Sequence, residues 1–204
     1  MSLAFPLPLA TFWDQLKIAS VQWSLNRPRS VSETAAGERF SATRGTSLWR
    51  GVATLTPGYH RDAMAIEALL AVLDQGDASF LAYDPRAPSL ALGGSGSATL
   101  SSISADRREI SVIGFTGTFS PGDMIGIAYG SDPVRYGLHR VVTGATNGGA
   151  FEVVPPLRPA VTTGLAVTYT KPVCKCDLGP SPDYGSARAL ITAGASFEIF
   201  QTFR

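Results

Sequence analysis

Cysteine, histidine and charge are all scarce in this chain. It has 204 residues, 2 cysteines, 2 histidines and only 16% Asp, Glu, Lys and Arg, against about 25% charged residues in ordinary soluble domains. Each shortage excludes something. Nucleophilic hydrolysis needs a Ser or Cys beside a base, usually histidine. His60, in Tyr59-His60-Arg61 at a helix start, and His139, in Leu138-His139-Arg140 within a strand pattern, have no nucleophile motif beside them. Both are expected to be structural. Cys174 and Cys176 flank Lys175. On a strand they share a face, a spacing that rarely closes an unstrained disulfide. Two thiols also fall short of the usual four zinc ligands, so reduced, packed thiols are expected.

Acidic and basic constellations are missing too. The 17 Lys and Arg and 16 Asp and Glu give a net charge of +1. Arg27-Pro28-Arg29 and Arg107-Arg108 are short clusters. They are not the basic stripe that grips a phosphate backbone, so no sequence-specific nucleic-acid binding is expected. Glycoside hydrolysis needs two carboxylates at a set separation. Asp123 and Asp132 sit in turns, Asp74 and Asp77 flank a helix end, and no acid pair stands out. Gly93-Gly94-Ser95-Gly96-Ser97 has Thr99 where the dinucleotide fingerprint ends in Gly, lacks the Gly-Lys-Ser/Thr of a P-loop, and has Ser97 where a nucleophile elbow ends in Gly. It reads as a flexible connector. No catalytic, cofactor-binding or metal-ligating residue, and no cofactor, is expected. No run of about 20 apolar residues is present, so no membrane span is expected. The opening MSLAFPLPLATFW has no Lys or Arg before its apolar run and is broken by Pro6 and Pro8, so it is not expected to act as a secretory leader.

What is abundant points to strands and turns. Apolar residues make up 45%, with 21 Gly and 14 Pro, a composition of many tight turns in an all-β protein. A surface poor in charge also suits one covered by partners. Ala19, Val21, Trp23 and Leu25 alternate with polar residues, as in a half-buried strand. The polar segment 30–37 reads as a loop or as a piece that orders against a neighbour. Residues 38–43 and 48–55 read as a strand pair turning at Arg44-Gly45-Thr46, with Trp49, Gly51, Ala53 and Leu55 on one face. A helix is expected over 61–75, because Ile66, Leu69, Leu70 and Leu73 make one apolar stripe. Asp62 and Glu67 suit its N-terminal half, and Gly76 its C-terminal stop. Phe80-Leu81-Ala82-Tyr83 is a short buried strand.

From residue 97 to 178 the pattern changes to short strands, at 99–103, 109–113, 124–129, 137–142, 150–154 and 165–169. Ser120-Pro121-Gly122-Asp123 makes a turn, and Asn147-Gly148 a hairpin signal. An OB-type Greek-key barrel fits so many short strands. Pro155-Pro156-Leu157-Arg158-Pro159 is an extended connection and no central strand. The chain then ends in a pair, 186–192 and 196–204, turning at Ala193-Gly194-Ala195. Apolar groups on both faces of the last strand predict cover on both sides. Trp13, Trp23 and Trp49 are expected in a core or a subunit interface. Most of Phe115, Phe119, Tyr129, Tyr136 and Phe151 are expected in the barrel core. The fold class is thus mainly β: a β-sandwich with one α-helix, carrying an inserted OB-like small β-barrel. The sandwich takes residues 1–90 and 179–204, and the barrel 91–178.

This order of parts resembles the distal tail proteins of phages with long non-contractile tails, and the related gene-transfer-agent tails. The matching pieces are the Trp23 strand, the helix over 61–75, Phe80-Leu81-Ala82-Tyr83-Asp84-Pro85, the Pro121-Gly122-Asp123 turn, Leu138-His139-Arg140-Val141-Val142 and Phe151-Glu152-Val153-Val154-Pro155-Pro156-Leu157. The resemblance implies a structural virion protein and no enzyme. It implies a hexameric ring of sandwich domains with barrels outward, joining the tail tube protein to the hub or baseplate protein around a channel for DNA. Tape-measure protein and side fibres are further implied partners. The place is the virion tail tip, after synthesis in the host cytoplasm. An alternative is a carbohydrate- or protein-binding module for host adhesion, acting through the barrel. Segment 30–37 is the expected reach to a neighbouring copy, and deleting 31–37 is expected to weaken assembly and spare the fold.

Overall fold

The structure is a computed structural model and describes residues 3–86 and 97–204. The expected connector at 93–96 and the boundary at 90/91 lie outside the described residues. The chain runs through 3-10 turns at Leu9–Thr11 and Trp13–Gln15, β1 (Ile18–Asn26), β2 (Arg29–Glu33), β3 (Arg39–Thr43), β4 (Leu48–Leu55), β5 (Gly58–Tyr59), α1 (His60–Leu73) and β6 (Phe80–Ala82). Next come β7 (Thr99–Ile103), β8 (Glu109–Ile113), β9 (Thr118–Phe119), β10 (Met124–Tyr129), β11 (Arg135–Val141), β12 (Ala145–Thr146), β13 (Ala150–Val154) and β14 (Val167–Thr168). It closes with β15 (Cys174–Leu178), β16 (Ser186–Arg188), β17 (Ile191–Ala193) and β18 (Ser196–Gln201). The fold is mainly β with one main helix.

The first layer is a five-stranded sheet in the order β1-β4-β18-β15-β6. Alternation decides its inner face: Trp23, Trp49, Ala53, Phe197, Ile199, Cys174, Cys176, Phe80 and Ala82 are all buried in one cluster. Gly51 belongs to that face because nothing larger fits. A Cβ there would lie 2.8 Å from Trp23 Cε3 and 2.9 Å from the Gln22 carbonyl. The stripe of α1 and the N-terminal turns cover this face. Leu70 and Leu73 are buried in it, Ile66 and Leu69 pack against it, and Leu7, Phe12, Trp13 and Leu16 fill the rest. The rings of Phe12 and Phe80 meet edge to face at 4.9 Å. A three-stranded sheet, β16-β17-β5, lies beside the helix start.

The second unit is a nearly closed, barrel-like sheet of six strands in the order β14-β10-β11-β13-β8-β7. An antiparallel bridge from Thr99 to Ala166 brings its ends together. β10, β11 and β13 follow one another, and β14 returns beside β10, the arrangement of a Greek key. Leu100, Ile110, Val112, Phe115, Phe119, Ile125, Ile127, Phe151 and Val153 fill its interior. The Pro121-Gly122-Asp123 turn forms as expected. Gly122 takes φ +101, and Asp123 Oδ2 accepts the Ser120 amide at 2.7 Å.

Several pairings differ from the sequence reading. β3 pairs with β2, not with β4, while β4 lies between β1 and β18. Segment 30–37 is therefore half strand and half turn, and Arg44-Gly45-Thr46 links β3 to β4 as no hairpin turn. The expected terminal pair also dissolves. Residues 186–193 fold on themselves as the β16–β17 hairpin, and β18 pairs with β4 and β15. Neither register was readable, because adjacency in sequence favours hairpins and only the shared core rewards the longer-range partner. Residues 174–178, assigned to the barrel from sequence, form β15 in the first sheet. A bulge between Ile18 and Ser20 leaves Ala19 exposed, so Ile18 packs on the core in its place. The helix stops at Leu73 with Asp74 as its cap, and Gly76 keeps an ordinary φ. Asn147-Gly148 does turn the chain, with Gly148 at φ +78, but β12 intervenes between β11 and this turn.

Candidate functional site

Both histidines and both cysteines make contacts within the fold. His60 Nδ1 lies 2.9 Å from Thr192 Oγ1. His139 is buried, and its Nδ1 lies 2.7 Å from the Pro155 carbonyl, so Nδ1 carries the proton that the carbonyl accepts. Burial, reinforced by the charge of Arg158 and opposed by the Pro155 bond, lowers the His139 pKa to about 4. Cys174 and Cys176 sit buried with sulfurs 3.4 Å apart. Burial, then the neighbouring Cys174 thiol, pushes Cys176 well above the ordinary thiol range, the opposite of a reactive cysteine. Asp74 and Asp77 are exposed. Among the described residues no three His, Cys, Asp or Glu side chains are grouped to hold a metal ion, and no helix is long and apolar enough to cross a membrane. The tryptophans are core residues. Of the barrel aromatics, Phe115, Phe119, Tyr129 and Phe151 are buried.

What the fold leaves uncovered is more telling. β2 and β3 make a two-stranded arm that continues the β1–β4 hairpin past Pro28 and Arg44, where the Arg44 amide donates to the Pro28 carbonyl at 2.9 Å. In its register Arg29 faces Thr43, Val31 faces Ser41, Ser32 faces Phe40 and Glu33 faces Arg39. Cross-strand partners share a face, so Phe40 and Ala42 lie with Ser30 and Ser32 on the uncharged side. Nearly all of the arm is exposed, with Phe40 at 57% and Val31 at 47%. Among the described residues both outer edges of the arm are unpaired. A lone two-stranded ribbon is marginal in water, and open edges invite pairing.

At the far end of the β1–β4 pair lies a groove of about 290 Å³ between α1 and the end of β4. Leu55, Ala63, Ile66, Leu70 and Tyr184 line it, with Asp62 and Glu67 on its walls. Lys17 closes one corner, 3.1 Å from Asp62. Near it, Tyr59 (71% exposed), Leu190 (75%), Ile191 and Met64 are bare apolar side chains, and Tyr59 pairs with Ile191 across β5 and β17. Among the described residues the outer face of the five-stranded sheet is also left partly open. There Arg50 lies over Phe200 at 5.0 Å and reaches Glu198 at 3.6 Å, with Val52 exposed. The expectation that β18 is covered on both sides therefore holds on one side only within a single chain.

A third feature is the seam between sheet and barrel. Trp49 Nε1 donates to the Leu138 carbonyl at 2.7 Å, and Gln201 Nε2 to the Tyr136 carbonyl at 3.2 Å. Asp84, buried beside the seam, accepts from Arg86 Nη2 at 2.8 Å and lies 3.8 Å from Arg140 of β11. Sequence reading missed the arm and the groove. The alternation of Val31 with Ser30 and Ser32 was the available signal for β2, but it is short and polar. The groove had none, because its walls come from segments far apart in sequence. Compared with known proteins, the chain matches no family model and no curated protein.

Proposed function

We propose that this chain is a structural, self-assembling protein of the distal-tail type. In this reading, copies close head to tail into a ring, with six as the expected number. The ring joins the tube of a phage tail to the hub or baseplate and leaves a channel for DNA. Tube protein, hub protein and further copies of itself are its partners, tape-measure protein and side fibres additional ones, and the virion tail tip its place. The observation that carries the reading is the exposed, edge-open arm. A head-to-tail interface whose rotation closes makes a ring, and the bare sheet face and the Tyr59–Ile191 patch offer further surface for contact. The order of sheet, helix, barrel and return to the sheet agrees with the resemblance noted above. The alternative, adhesion through the barrel, ranks behind because the barrel aromatics that would stack on a sugar are mostly interior.

The test is the solution mass of the purified protein together with class-averaged electron microscopy. The expected result is an annular particle near 129 kDa, six copies of 21.5 kDa. A strict monomer up to the solubility limit would overturn the self-assembly reading and bring the adhesion reading forward.

A further inference from the structure

We propose that the Phe40 face of the β2–β3 arm docks into the groove between α1 and β4 of a second copy of this chain. The inference rests on the self-assembly reading and names the two surfaces that meet. Phe40 is the largest exposed apolar side chain of the arm and projects with Ala42 from its uncharged face. The groove offers a matching floor in Leu55, Ala63, Ile66 and Leu70. Its volume, about 290 Å³, is at the small end of ligand-sized sites. That suits one aromatic side chain and its neighbours better than a large cofactor.

Charge agrees. From Arg27 to Arg44 the arm and its base carry four arginines against two glutamates, with Arg29 and Arg39 on the face opposite Phe40. On the groove, Asp62 is engaged by Lys17. Glu67 has no cation within ion-pair reach among the described residues. The excess positive charge of the arm and its base suits that uncompensated carboxylate, an attraction that orients the approach more than it adds affinity.

Position excludes the chain's own arm as the occupant. Ile18 pairs with Leu55 at the groove end of the β1–β4 hairpin, and Asn26 pairs with Leu48 at the arm end. The nine residues of β1 separate the two, roughly 26 Å at the rise of a strand, and the arm points onward from there. A chain cannot fill its own groove. An arm-to-groove contact is therefore heterologous and propagates from copy to copy, which yields a closed ring or an open filament and no isologous dimer.

The experiment mixes two variants that each add one cysteine, Phe40→Cys and Ala63→Cys, under mild oxidation, with non-reducing gels and mass spectrometry to read the linkage. The native thiols are buried. The expected product is a 40–63 disulfide between copies that needs both variants, with little product when Val52→Cys on the outer sheet face replaces Ala63→Cys. A companion series uses Phe40→Ser, expected to weaken self-association by about tenfold or more, against Val31→Ser on the opposite face of the arm, expected to leave it unchanged. Linkage to the Val52 position in place of position 63, or association indifferent to Phe40→Ser, would overturn the docking while leaving self-assembly intact. A wild-type protein that never self-associates removes both.

Discussion

His139 shows how burial holds an imidazole neutral. Its ring fills a site under the Pro155 connection, against Gly137, where a Cβ would stand 2.8 Å from Nε2. The folded state holds the imidazole neutral, with a pKa near 4 against about 6.5 when unfolded. The folded form therefore binds fewer protons between these values. Stability from this residue is complete above about pH 6.5 and is lost as pH falls toward 4, by about 3 kcal/mol at most. Urea midpoints measured from pH 7.5 to 4 are expected to fall through this window. His139→Gln, which does not titrate, is expected to flatten that part of the curve. An unchanged slope in the variant would assign the pH dependence to other groups.

At the scale of elements, the arm behaves as an attachment. Its strands pair with each other and lie outside both hydrophobic clusters. Replacing residues 29–43 with a two-residue Asn-Gly turn between Pro28 and Arg44 is expected to leave thermal stability within about 1 kcal/mol of the parent, since no buried contact is lost. The same change is expected to abolish assembly. Loss of cooperative melting would show instead that the arm is part of the folding unit. Deleting 31–37 is a less clean cut, because it removes most of β2 and leaves β3 without its ladder. The short β16–β17 hairpin plays a different part. Through β5 it is tied to the start of the helix, so it shapes the groove wall.

At the scale of the molecule, the two units are joined by a shared core as well as by chain connections. Met124 and Leu138 of the barrel lie in the same cluster as Trp49 and Phe197 of the sheet. Phe203, beyond β18, packs against the barrel interior, and Arg158 stacks on it at 4.6 Å. Burying apolar area across the seam links the stability of one unit to that of the other. Trp49→Phe keeps most of that area but leaves the Leu138 carbonyl without its donor, an expected loss of about 1–3 kcal/mol. Equilibrium unfolding followed by tryptophan fluorescence and by far-UV circular dichroism is expected to coincide in the parent. In the variant it is expected to shift to lower denaturant. A variant as stable as the parent would show that the seam bond contributes nothing measurable.

Much of the fold was legible because short-range patterning is written residue by residue. The alternation along β4, the stripe of α1, the Gly122 turn and five barrel strands all follow from side-chain period and turn chemistry. Same-face placement of Cys174 and Cys176 follows from the strand period alone. What stayed hidden depends on partners distant in the chain. Strand alternation says which face is apolar but not which strand lies beside it. The assignment of β3 to β2, of β18 to β4 and β15, and of residues 174–178 to the first sheet was decided only when one core had to be filled. The candidate docking site follows the same rule. Phe40 was in view as a residue, but its exposure was not, since nothing local says that β2 and β3 leave the sheet together. The groove exists only because α1, the end of β4 and Tyr184 are brought side by side. Side-chain period and turn chemistry wrote the helix, the longer strands and their inward faces into the residues, but not β2, β5 or the β16–β17 hairpin. The tertiary structure decided which faces remained open, because exposure is a property of what the rest of the chain fails to cover.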